Sequence, residues 1–303
     1  MSIGADNTAR VRLAGRSGAD GWDVAIGPEA NWRHTGLLVA SLEAGAERTL
    51  DLADREAVVV PLSGGGVQVS AAAPDGTDDS VRLAGRESVW AGTTDVAYVP
   101  ARSRLTLRAE AQVCRVAVCL AADAESTAAA ARSLTRLPAA EVPVERRGAG
   151  IASRLVRNFG VPGVLDADRI IACEVITPAG NWSSWPPHKH DQERPGVETE
   201  LEEIYYFQTR SVAPQVSDPV GYQRVYGSDE RPIDVLAEVR TDDVVLVPHG
   251  WHGPAMAAPD ADLYYLNVMA GPGPERAWLI CDDPAHAWVR EAWPDLPVDP
   301  RLA

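Results

Sequence analysis

The sequence predicts an all-β protein built as two tandem β-barrels with few short helices. Three observations carry that prediction. Short apolar or alternating runs recur along most of the chain, each bounded by Gly, Pro or Asp clusters, as in strands joined by tight turns. Gly (25) and Pro (23) are spread through the 303 residues rather than gathered in one linker. Both halves are strand-rich at similar spacing, which makes two barrels in tandem the most economical architecture.

In the first half, TGLLVASL (35–42), EAVVVPL (56–62), GVQVSAAA (66–73) and DVAYVP (95–100) read as strands. RLTLRAEAQVCRVAVCLA (104–121) alternates over most of its length and reads as two strands with a hinge near Glu110. ESTAAAARSL (125–134) is Ala-rich after Ser and Thr and fits a short helix or a linker equally. The basic, glycine-containing stretch 144–160 follows, and the domain junction is expected within 135–160, dividing the chain into 1–140 and 141–303. In the second half, 169–177, 202–208, 220–227, 234–239, 243–248 and 262–270 read as strands. One helix is expected, over 284–293, with Asp283 as N-cap and Pro284 at its first position.

The formal net charge of −15 argues against nucleic acid or an anionic membrane as partner, since both require a basic footprint. A small anionic substrate stays compatible if a local Arg or Lys pocket receives it. Phe is scarce (2) and Trp abundant (9), so aromatic packing leans on indoles whose N–H needs a partner. Cys114, Cys119, Cys173 and Cys281 show no CxxC spacing and sit in apolar runs, the pattern of reduced thiols in a cytosolic protein. The start, MSIGADNTARVRLAG, has no basic segment followed by an apolar core, and no apolar run is long enough to cross a bilayer, so a cytoplasmic location is expected.

The chemistry concentrates in two histidine segments, PPHKHD with His188 and His190, and PHGWHG with His249 and His252, separated by ELEEIYYF with Glu202 and Glu203. On an extended strand His188 and His190 share a face and Lys189 points the other way. A carboxylate from the next strand, Glu202 or Glu203, and His252 from a turn after DVVLVP can complete a site. Three imidazoles and a carboxylate suit Zn²⁺, Mn²⁺ or Fe²⁺. His249 is the weaker of the later pair. His34 and His286 stand alone and read as structural, and the first half, with His34 as its one histidine, is expected to hold no metal site.

The segments ITPAGNWSSWPPHKHD, LEEIYYFQ, GYQRVYGSD, DDVVLVPHGWHGPAMAAPDADLYYLNVMAGP and DDPAHAWV together resemble the 5-deoxy-glucuronate isomerase family of myo-inositol catabolism. That family is related more distantly to the 5-keto-4-deoxyuronate isomerases. The resemblance is dense from about 145 to 290 and looser before. It implies a bicupin, two tandem cupin-type barrels with the metal in the second, ligated by His188, His190, Glu203 and His252, and a homo-oligomer. The residues alone do not choose Glu203 over Glu202. One departure is that His249 and Trp251 stand where the family is expected to carry a non-histidine residue and Tyr.

The activity implied is an aldose–ketose isomerisation of 5-deoxy-D-glucuronate to 2-deoxy-5-keto-D-gluconate through a metal-stabilised enediolate. Such chemistry needs a base and an acid near the metal strands. Tyr222 and Lys189 rank first, with Glu202, Asp191 and Tyr206 also candidates; a metal-bound hydroxide could replace them. Arg224 is the first choice for the substrate carboxylate, sharing a strand face with Tyr222 and opposite Gln223; Tyr206 and Gln223 are further substrate-binding candidates, and Arg154 and Arg157 second choices for the carboxylate. For Tyr205, Tyr206, Tyr264 and Tyr265 barrel packing is the favoured reading. Two other functions fit the same constellation: an Fe²⁺ cupin dioxygenase, and a sugar-acid-binding module without catalysis.

Overall fold

The structure, a computed structural model, describes residues 3–28, 32–122 and 132–302. It is all-β, with two β-sandwiches in tandem. In the first, a six-stranded sheet runs in the order Thr135–Leu137, Val96–Val99, Arg55–Gly64, Cys114–Ala122, Thr35–Leu42, Val24–Ile26. It faces a four-stranded sheet of Glu47–Asp51, Arg104–Ala109, Val67–Ala72 and Asp78–Leu83. In the second, a seven-stranded sheet is ordered Val11–Arg12, Val244–Val247, Glu202–Ser211, Ala261–Ala270, Ile171–Thr177, Arg154–Gly160, Val144–Arg147. It faces Asp234–Val239, Gly221–Tyr226, Trp251–Ala257, His188–Lys189 and Cys281–Asp282.

Three cores result. One fills the first sandwich, around Leu52, Val69, Leu105 and Val116, and another fills the second, around Phe207, Val225, Val245 and Met269. The third lies between the two large sheets and joins Val58, Tyr98 and Cys119 to Ile204, Tyr206, Tyr264 and Leu266. The large sheets are therefore covered on both faces, and their central strands are apolar without alternation: all ten residues of Ala261–Ala270 are buried. The outer sheets have one wet face and alternate, as in Val67–Ala72 and Asp234–Val239.

Buried carboxylates pin the sandwiches together. Glu56 accepts hydrogen bonds from the Tyr98 hydroxyl (2.8 Å) and from the backbone N–H groups of Asp168 (2.8 Å), Arg169 (2.6 Å) and Ile170 (2.6 Å). Glu174, on the second sandwich, pairs with Arg86 of the first and accepts from Tyr264 at 2.7 Å. Burial would raise the Glu174 pKa, but Arg86 and Arg157 hold it below the usual carboxylate range.

Several expectations are revised. Val11–Arg12 pairs with Val244–Val245, so the start of the chain, expected within a 1–140 unit, is built into the second sandwich. The C-terminal helix is shorter than 284–293. Asp283 caps a turn through the Ala285 N–H (2.9 Å), and regular helix spans Trp288–Ala292 only. The alternation through Glu110 does break into Arg104–Ala109 and Cys114–Ala122. Most of 125–134 lies outside the described residues. Of the four thiols, all free, three are buried and Cys281 is half-buried. No helix among the described residues is long and apolar enough to cross a membrane.

Replacing Glu56 by Leu strands three buried or half-buried N–H groups and the Tyr98 hydroxyl. Thermal unfolding of Glu56→Leu should show a loss of about 3 kcal/mol or more in stability; an unchanged midpoint would contradict the pinning role.

Candidate metal centre

The first histidine pair lies on the short strand His188–Lys189, where His188 is the cross-strand partner of His252. His252 is thus on a strand, Trp251–Ala257, and not in the turn expected from its two flanking glycines. Those glycines serve close approach. Gly253 has φ +122°, and a Cβ there would sit 1.9 Å from Ser184 O; Gly250 has φ +89°, and a Cβ there would sit 2.7 Å from Tyr226 O. The Asp191 carboxylate ties the two histidine segments by accepting the Gly250 N–H at 2.8 Å.

The carboxylate comes from the facing sheet. On Glu202–Ser211 the residues Tyr205 and Phe207 pack into the second sandwich, Ile204 and Tyr206 into the core between sandwiches. With period two, Glu203 falls on the first of these faces and Glu202 on the other. His190 Nε2 lies 2.9 Å and His252 Nε2 3.0 Å from the same oxygen, Oε2 of Glu203. The ligand atoms of His190, Glu203 and His252 lie within 4.8 Å of one another. His188 flanks this triplet, its ring 4.5 Å from that of His252. These residues are at most 8% exposed.

Each imidazole is oriented by its other nitrogen. The Nδ1 atoms of His188, His190 and His252 face the carbonyls of Pro186 (3.4 Å), Leu201 (3.3 Å) and Gly250 (3.2 Å). A proton on Nδ1 leaves the Nε2 lone pairs of His188 and His252 bare, while His190 Nε2 is hydrogen-bonded to Glu203. His252 Nε2 is buried and makes no properly oriented hydrogen bond, its approach to Glu203 notwithstanding. That unsatisfied nitrogen, next to an acceptor-only carboxylate and two more imidazoles, fits a divalent cation of borderline softness.

Burial and the neighbouring imidazoles push the His188 pKa well down. Burial also opposes charge on His190, but the hydrogen bond and charge of Glu203 outweigh it and raise that pKa. Burial would raise Glu203, yet His252 and His190 hold it well below the usual carboxylate range. A carboxylate ionised amid nitrogen donors is the state a cation would require.

The structure separates the other predicted residues from this cluster. Glu202 accepts the backbone N–H groups of Arg33 (2.9 Å) and His34 (2.7 Å), so it braces the first sandwich and is corrected as an acid–base candidate. Lys189 points away from the His pair. It binds Asp191 (2.6 Å) and Glu198 (2.7 Å) and lies over the Trp251 ring, which corrects its catalytic role. Tyr222 and Arg224 share a face, as expected, but it is the outer one. Tyr222 donates to Glu238 (3.0 Å) and Arg224 is held by Asp234. Tyr206 lies between the sandwiches and donates to Asp242, away from the cluster. Gln223 stays inside: it is fully buried, its neighbour-but-one Val225 pairs with His252, and its Oε1 has no partner. His249 sits at the rim near Pro232 O (3.4 Å), and His286 packs on Trp185.

Reading the tyrosines as packing missed a hydroxyl chain. Ser184 Oγ lies 3.2 Å from Tyr205 Oη and 3.3 Å from Tyr265 Oη, and the Tyr205 ring is 6.1 Å from that of His252. Its signal was available: Tyr205 is two residues from Glu203 and shares its face.

The KduI/IolB family model matches residues 11–289. The chain belongs to that family. Curated relatives named 5-deoxy-glucuronate isomerase include one from Geobacillus kaustophilus (39% identical over 272 residues, covering 89% of this chain and 91% of the relative). Another, from Bacillus velezensis, is 36% identical and covers 86% and 89%. Among solved structures, an IolB-like protein from Salmonella typhimurium superposes with a TM-score of 0.79 at 34% identity, covering 93% of this chain and 99% of that one. Oxalate decarboxylase from Lactobacillus farciminis, at TM-score 0.56 and 11% identity over 82% and 79% of the chains, shares the fold.

The two adjacent glutamates can be told apart by experiment. Glu203→Gln should lower the content of tightly held divalent metal at least tenfold by elemental analysis. Glu202→Gln should keep the metal and lower the unfolding midpoint. The reverse pattern would exchange their roles.

Proposed function

We propose that this protein is a metal-dependent 5-deoxy-glucuronate isomerase, converting the aldose 5-deoxy-D-glucuronate to the ketose 2-deoxy-5-keto-D-gluconate. The observation that carries the reading is the convergence of His190, Glu203 and His252 inside one barrel, with the His188 ring beside that of His252. Family membership and relatives bearing that name over most of the chain support it. The residues that would hold the cation are those four, and zinc, manganese or iron fits their donor set. Bound there, the cation would act as a Lewis acid on two vicinal oxygens of the substrate and stabilise the negative charge of the enediolate.

The chain's own residues have two further tasks. Isomerisation moves one proton between adjacent carbons and another between their oxygens. The Tyr205 hydroxyl suits the oxygen-to-oxygen transfer: it lies on the face of Glu203 and is linked through Ser184 to Tyr265. Gln223 Oε1, buried and unmatched, suits a substrate hydroxyl. The apolar walls formed by Phe207, Val225 and Met269 keep bulk water away from the reacting carbons.

Proton NMR of 5-deoxy-D-glucuronate with the purified protein tests the reading. The ketose should appear, deuterium from solvent should enter beside the carbonyl, and chelator should abolish both. Turnover without oxygen separates this from a dioxygenase, and binding with neither turnover nor exchange would leave only a sugar-acid-binding module. Tyr205→Phe should lower kcat by about 100-fold with metal content unchanged. An unchanged kcat would remove Tyr205 from the proton path.

A further inference from the structure

Three arginines gather at one end of the second sandwich, and two of them are neutralised there. Arg147 binds Glu145 at 2.6 Å, and Arg290 binds Asp282 at 2.7 Å. Arg154 has no carboxylate. It is 4% exposed, and its hydrogen bonds, to Ala152 O (3.0 Å) and Trp185 O (3.4 Å), both come from Nη1. Nε and Nη2 donate to nothing among the described residues. Two other well-buried guanidinium groups are fully matched: Arg276 donates from all three nitrogens to carbonyls at 2.7 Å, and Arg86 has Glu174 with two carbonyls. A guanidinium this nearly buried and without a carboxylate is costly to keep charged unless an anion arrives.

The position is that of a ligand group. Arg154 shares a strand face with Val156, which lies in the metal-bearing core; Arg157, on the other face, is spent on Glu174 and Val89 O. Arg154 lies near enough to Tyr265 for each to shift the other's ionisation, and from Tyr265 the chain of contacts runs through Ser184 and Tyr205 to His252. Burial, with repulsion from Arg147 and Arg290, lowers its pKa to about 10, which one anion would reverse. The indoles of Trp293, stacked on Arg154, and Trp278, stacked on Arg147, each hold a buried N–H with no acceptor. The surroundings offer donors in excess of acceptors.

We propose that Arg154 is the anchor for the substrate's carboxylate, binding one end of the open-chain sugar acid while the carbonyl end lies among the metal ligands. The inference rests on the isomerase reading and replaces Arg224, which Asp234 already occupies. It makes Arg154 the residue that distinguishes a uronate from a neutral sugar.

The test compares wild type, Arg154→Met and Arg154→Lys on 5-deoxy-D-glucuronate and on its neutral methyl ester, with calorimetric binding of the acid to chelator-treated protein as a second readout. In Arg154→Met the KM for the acid should rise about thirtyfold with kcat within threefold, and acid binding should weaken equally. The ester should have the same raised KM in wild type and variant, and the Lys variant should fall between. Equal KM for acid and ester in wild type overturns the proposal, and that comparison needs no variant to fold. An equal loss on both substrates in Arg154→Met, which marks a purely structural role, also overturns it. If wild type fails to isomerise the acid yet binds it tenfold or more tightly than Arg154→Met does, the isomerase reading falls and the anchor stands.

Discussion

The site depends on one cross-strand register: His188 opposite His252 in an antiparallel pair. Adjacent strands lie about 4.8 Å apart, so two imidazoles on the same face of such a pair are brought within ligand distance by backbone hydrogen bonds alone. A shift of one residue would send His252 to the outer face and Trp251 inward. Gly253 and Gly250 permit the close passage beside Ser184 and Tyr226, and Asp191 clasps the Gly250 N–H. Glu203 then needs only to reach across from the facing sheet.

That reach is set by the stacking of sandwiches. The large sheet of the second sandwich has no solvent face, and each of its strands must divide its residues between two interiors. Adjacent glutamates on one strand consequently have unrelated fates. Glu203 enters the barrel among imidazoles, and Glu202 turns back to cap the N–H groups of Arg33 and His34. The first sandwich, which has no such cluster among its described residues, serves as the backing of the sheet that carries Glu203. Glu56 and Glu174 fix its position with buried hydrogen bonds, so the strand carrying Glu203 is held from behind.

Electrostatics follows the same division of space. A chain of net charge −15 can receive an anionic sugar acid only where its own carboxylates are kept away. Most arginines at the surface and between the sandwiches are already matched: Arg224 by Asp234, Arg115 by Asp23 and Asp242, Arg86 by Glu174. In the second sandwich the unmatched buried atoms include His252 Nε2, Gln223 Oε1 and the indole N–H of Trp251, and Arg154 carries no carboxylate partner. Leftover polar groups in an otherwise satisfied interior mark where a ligand belongs.

The all-β class and most strands were legible in the sequence, as was the set of residues proposed to hold a cation, because they rest on short-range facts: period-two alternation, turn residues, and a His-x-His pair with its family context. Even the shared face of Tyr222 and Arg224 was correct as local geometry. What the sequence did not reveal was which side of each strand is inside, since strands buried on both faces lose the polar alternation that would tell. That ambiguity left Tyr205 out of the site, whereas Tyr222 and Arg224, on an alternating strand with one wet face, were sent to it by their chemistry alone. The strand at Trp251–Ala257 was hidden too, because Gly250 and Gly253 read as a turn until Tyr226 is seen pressed against the first and Ser184 against the second. Side-chain identity and spacing are properties of the chain. Facing is a property of what packs against it, and only the assembled sheets decide that.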